Sequence, residues 1–145
     1  MKIRFIFWFV VFALTSLSDA AAIKIHFISG SREYKSKESL RKFIPWLEKH
    51  YDVKCSVSWG HDGIEQLPSL DELKEADLLF IFARRMKLVE SQMKTIRMHW
   101  EKGKPVVGVC TASHAFQKAD NEVFDRQVMG GNYQGHFGDG PVKVV

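Results

Sequence analysis

The chain has little cysteine, little charge imbalance and no long apolar run. Its cysteines are Cys55 and Cys110 alone. Two thiols permit one disulfide at most and cannot make the framework of a disulfide-stapled fold. Cys55 falls within one predicted strand and Cys110 at the end of another, so their pairing is not expected. The formal net charge is +4, with lysines spread evenly. That describes a solvated mixed-charge surface and excludes an electrostatic footprint for nucleic acid. His50, His61 and His99 show no metal-ligand spacing, and the pair His114 and His136 is a thin basis for a metal site. No metal or cofactor is expected.

The strongest apolar stretch is residues 5–14, ten residues behind Lys2 and Arg4. It is too short to span a bilayer and has the shape of a signal peptide. Small residues at Asp19-Ala20-Ala21-Ala22 offer cleavage after Ala20 or Ala22. The expectation is a signal peptide at 1–20, export to the periplasm or outside the cell, and no stable membrane span afterwards. An uncleaved anchor is the competing reading.

What is present, in 145 residues that are 46% hydrophobic and 26% charged, is the content of one globular domain. Residues 23–28 read as a first strand running into the loop Ser29-Gly30-Ser31, with His26 on its polar side and structural. Leu40, Phe43, Ile44 and Leu47 give residues 36–50 one apolar helical face. Pro45 predicts a kink there or a late start. Val53, Cys55 and Val57 alternate in a second strand, which makes Cys55 a small core hydrophobe. The turn-rich Trp59-Gly60-His61-Asp62-Gly63 ends it. Ser69-Leu70-Asp71-Glu72 matches a capping box opening a short helix to Ala76.

Residues 77–83 are nearly all apolar, as in a strand covered on both faces of a parallel sheet. Arg84 and Arg85 follow. Val89, Met93, Ile96 and Trp100 mark an amphipathic helix stopped at Gly103. Residues 105–109 form a fourth strand, and residues 116–127 are partly helical. A glycine-rich and aromatic segment, 129–140, precedes Pro141-Val142-Lys143-Val144-Val145, which reads as the opening of another strand in a domain, 23–145, expected to be incomplete. Strands alternating with helices predict an α/β, flavodoxin-like, doubly wound and mostly parallel sheet with helices on both faces.

In such sheets the ligand lies beyond the carboxyl ends of the strands, at the topological switch point. Three segments fall there. Gly30-Ser31-Arg32-Glu33-Tyr34-Lys35-Ser36 offers hydroxyls, a carboxylate and an arginine, or simply caps a helix. Gly108-Val109-Cys110-Thr111-Ala112 has the small-x-nucleophile-x-small form of a nucleophile elbow, in which a tight strand-to-helix turn crowds its neighbours. His114, four residues on, could serve Cys110 as a base across one helical turn. The opposing reading is a buried cysteine beside a structural histidine. Gly130-Gly131-Asn132-Tyr133-Gln134-Gly135-His136 could fold a tyrosine and a histidine over the crevice, or be a surface loop.

The segments SGSREYKSKESL, ADLLFIFARR, GKPVVGVCTASHAF and FDRQVMGGNYQGHFGDGP together resemble the ThuA-like (trehalose-utilisation-like) family. That family lies within the class I glutamine amidotransferase-like superfamily. The resemblance covers nearly all of the chain after the signal segment. It implies a flavodoxin-like sheet, a link to carbohydrate metabolism, export, and commonly a longer chain. In the wider superfamily the elbow cysteine works with a histidine from a later segment, and ThuA-like members usually lack the cysteine.

The leading expectation is therefore an exported domain binding a small polar ligand such as a sugar. Ser31, Glu33, Tyr34, Arg84 and His136 would bind it, with His114 beside them. A second expectation is a hydrolase or amidotransferase with Cys110 as nucleophile and His114 as base. A third is a non-enzymatic piece of a longer protein.

Overall fold

The computed structural model describes residues 21–135, without the side chains of Cys110 and Lys118. The expected signal peptide, His136 and the expected strand at 141–145 lie outside the described residues. Strands β1 (Ile23–Gly30), β2 (Val53–Trp59), β3 (Leu78–Ala83) and β4 (Val106–Gly108) form one parallel sheet in the order β2-β1-β3-β4. This is the α/β, flavodoxin-like topology. The chain steps from β1 to β2 on one side and then crosses to β3 on the other, so the strand order reverses beside β1. The switch point lies between the ends of β1 and β3, where Gly30 pairs with Ala83.

The side-chain alternation of β1 sorts the layers. Phe27 points to one face, where it meets Phe43 of helix α1 (Ser36–His50) and Phe80 of β3. Ile28 points to the other. There Leu79, Ile81 and Ala83 pack with Leu70 and Leu73 of a 3₁₀ helix (Leu70–Glu75), and with Met93 and Ile96 of helix α2 (Glu90–Glu101). This second face holds the main core. β3 departs from the expectation of full cover. Leu79, Ile81 and Ala83 are buried, whereas Leu78, Phe80 and Phe82 are only half-buried. On the α1 side Phe43 of α1 reaches Phe80 of β3, and Val107 of β4 is exposed.

Several local expectations are corrected. α1 runs unbroken from Ser36 through Pro45. Pro45 and Arg41 both face solvent, so the carbonyl deprived of its helical donor is free to meet water. The capping box does not form. Ser69 is left-handed with no side-chain cap bond, and the segment winds as a 3₁₀ helix in which Glu72 N–H donates to Ser69 O.

His26 is structural, as expected, and it is fully buried because β1 is a central strand. The Ser58 hydroxyl donates to Pro68 O at 2.7 Å and must therefore accept from His26 Nε2–H at 3.0 Å. Nδ1 is left to accept from Ser56 Oγ at 2.7 Å. Burial first, and then the nearby His99, push the His26 pKa down to about 4. Cys55 is half-buried because β2 is an edge strand, and its thiol is free.

After β4 the chain makes a 3₁₀ turn (Cys110–His114), helix α3 (Lys118–Val123) and a π-helical turn (Phe124–Val128). Phe124 seats this segment on the core, with its ring against Trp100 and Phe116. Among the described residues no helix is long and apolar enough to cross a membrane.

Candidate functional site

The loop after β1 is built around Ser36. Its hydroxyl accepts the Ser31 N–H at 3.0 Å and lies 2.9 Å from Ser29 Oγ. Ser36 N–H returns to Ser31 O at 3.0 Å, and Lys35 closes the turn in a left-handed conformation. These bonds hold residues 31–35 as a tight arch over the end of β1. Within it Ser31 is buried, Arg32 and Glu33 are turned outward, and Tyr34 is exposed.

The end of β3 is fixed as firmly. Arg84 N–H donates to Gly30 O at 3.2 Å, continuing the ladder past the strand. Arg85 has φ of 49°, uncommon for a residue with a side chain. Its backbone is held by three bonds: its N–H to His114 O, and its carbonyl to Gly63 N–H and Gln117 Nε2. This reversal leaves Arg84 pointing over the switch point. Its guanidinium pairs through Nη1 with Glu33, and Asp62 stands 3.9 Å from the same nitrogen.

A tight strand-to-helix turn follows β4 at Gly108–Ala112. A Cβ on Gly108 would lie 2.6 Å from Ala112 Cβ and 2.4 Å from Met129 Cε, so the small residues are sterically required. Thr111 Oγ1 donates to Ala83 O at 2.8 Å, tying the turn to β3. The turn is 3₁₀ rather than α-helical. At three residues per turn, position 114 lies a third of a turn round from position 110 instead of directly above it. His114 is buried, with Nδ1 3.4 Å from Ser113 Oγ, and the ring of Tyr133 lies flat on it.

The structure thus gathers Ser31, Glu33 and Arg84 at the switch point and places His114 beside them at the end of β4. Tyr34 stands apart, exposed to solvent. Sequence reasoning missed Asp62 as a member. The turn at 59–63 ends a parallel strand and so shares the carboxyl edge of the sheet, but the strand order that brings Asp62 to Arg84 is not written in the sequence. It also left Asp125 unmentioned. That carboxylate is buried, accepts Tyr133 N–H through Oδ2 at 2.6 Å, and through its backbone carbonyl accepts Gly131 N–H at 2.8 Å. It therefore positions the loop that brings Tyr133 onto His114.

Chemically, this is a recognition surface of donors and acceptors in close array. Carboxylates accept, while the arginine and serine donate. Among the described residues no group of three or more His, Cys, Asp or Glu could hold a metal ion. Cavities also occur at the opposite strand ends, where one of about 480 Å³ is lined by Ile23, Leu47 and Tyr51, and along the α2 side. Compared with known proteins, the chain matches no family model, no curated protein and no solved structure.

Proposed function

We propose that the chain is an exported, ThuA-like domain that binds a small polyhydroxyl ligand, of the sugar class, in a role linked to carbohydrate metabolism. One observation carries this reading. Ser31, Glu33, Asp62 and Arg84 come from three different strand ends and converge beside the switch point of a parallel sheet, the place where such folds bind ligands. Interleaved carboxylate acceptors and guanidinium donors suit hydroxyl groups, which both give and accept hydrogen bonds. Tyr133, laid over His114, adds an apolar ring at the side of the crevice.

The experiment is a calorimetric screen of mono- and disaccharides and sugar acids against the full folded chain. Saturable binding, lost in Arg84→Met, is the expected result. A folded chain that binds none of them would overturn the proposal.

A further inference from the structure

Ser31 and Arg84 sit side by side, one residue past the paired Gly30 and Ala83. Ser31 is 2% exposed, and among the described residues its hydroxyl has no hydrogen-bond partner. Nε of Arg84 is likewise buried without one. Buried polar groups are nearly always satisfied, because leaving them bare costs folding free energy. Two such groups just past the ends of adjacent strands, both at the switch point, mark a place prepared for an acceptor that the described residues do not supply.

The partners Arg84 does have are on its other side. Glu33 and Asp62 both approach Nη1, the nitrogen turned away from the Nε edge. Glu33 is half-exposed, on the loop after β1. It screens the guanidinium from outside and is free to swing into solvent. On the loops after β1 and β3 the exposed Arg32, Lys35 and Arg85 outnumber the two carboxylates. The Nε edge of an arginine beside a serine hydroxyl matches a carboxylate in shape and charge. A neutral hydroxyl would leave only Asp62, 3.9 Å away, to balance the arginine once Glu33 moved.

We propose that the ligand is a sugar acid, a polyhydroxy carboxylate. Its carboxylate displaces Glu33 and accepts from Arg84 Nε and Ser31 Oγ. Its hydroxyls donate to Asp62. This rests on the reading of the crevice as a polyhydroxyl site and names the group that anchors the ligand in it.

The test is calorimetry on the full chain with D-glucuronate and D-glucose as probes, in wild type, Ser31→Ala, Arg84→Lys and Glu33→Gln, with circular dichroism on each. Glucuronate is expected to bind about tenfold or more tighter than glucose, as charge-assisted bonds require. Ser31→Ala and Arg84→Lys should each erase most of that preference. Glu33→Gln should strengthen glucuronate binding several-fold, since it removes the competing carboxylate. If glucose binds as tightly as glucuronate, or Glu33→Gln weakens glucuronate, the sugar-acid assignment is wrong while the polyhydroxyl reading stands. If neither probe binds the folded wild type, both fall.

Discussion

The rings of Tyr133 and His114 lie 4.3 Å apart, centroid to centroid, with their planes 14° from parallel. The contact joins a loop far along the sequence to the turn after β4. A stacked aromatic pair contributes about 0.5–1.5 kcal/mol beyond its buried area. Tyr133→Ala is expected to lower stability by about 1–2 kcal/mol and to open the imidazole to reagents. Carbethoxylation of His114, followed by peptide mass mapping, should be faster in the variant. An unchanged rate would mean that Tyr133 does not cover the ring in solution.

Asp125 is what sets Tyr133 in place. A Cβ on Gly131 would meet Asp125 Oδ1 at 2.2 Å, so Gly131→Ala must push the loop off the carboxylate. The expected loss is about 1–3 kcal/mol by denaturant unfolding. His114 should become more reactive here too. In an Asp125→Ala background the same glycine substitution should cost much less, because the clash is gone. Additive losses would argue that the two residues do not touch.

His26 gives the fold a pH dependence with a definite sign. Its folded pKa, about 4, lies below the ordinary 6.5, so it stays neutral when folded and charges when unfolded. Between those values the unfolded chain binds more protons, and stability rises with pH. The contribution is full above about pH 6.5 and falls away toward pH 4, by on the order of 3 kcal/mol. His99, also lowered by burial, acts in the same direction. Urea unfolding at pH 7 and pH 5 should show the loss, and His26→Gln should flatten it. A wild-type stability that is level across that range would contradict the buried placement.

Cys55 is expected to be a sluggish thiol. Burial first, and then the charge and hydrogen bond of Glu48, push its pKa up to about 11. In a Cys110→Ala background, iodoacetamide at pH 8 should modify it on the order of a hundredfold more slowly than free cysteine. Glu48→Gln should recover part of the rate. Alkylation at an ordinary thiol's rate would show that the strand edge is open.

The two faces of β3 and β4 predict unequal tolerance. Ile81 is fully buried in the main core, so Ile81→Ala should cost about 2–5 kcal/mol. Val107 is exposed on the opposite face, and Val107→Ala should change stability by no more than about 0.5 kcal/mol. A comparable loss at both sites, by thermal or urea unfolding, would mean that something covers Val107.

The fold was legible because its signals are local. Alternation in residues 53–57, the apolar run at 78–83 and the helical spacing of Met93 and Ile96 each report a period that the backbone imposes. Most of the site was legible for a related reason. Once strands and helices alternate, Ser31, Arg84 and His114 must fall at carboxyl ends. Asp62 and Asp125 were not legible. Asp62 reaches Arg84 only because β1 stands between β2 and β3, an order the sequence does not state. Asp125 acts on a loop through hydrogen bonds that no periodicity records.

His26 marks the boundary between the two kinds of information. The sequence by itself determined the parallel α/β layering, the strand ends and the tight elbow at Gly108, because steric and hydrophobic periodicity act over a few residues. Only the tertiary structure decided which strand lies inside the sheet. That made His26 a buried, doubly bonded group and left Cys55 at an edge. It also brought Glu33, Asp62 and Arg84 into one cluster, since contacts between distant segments depend on how the layers close.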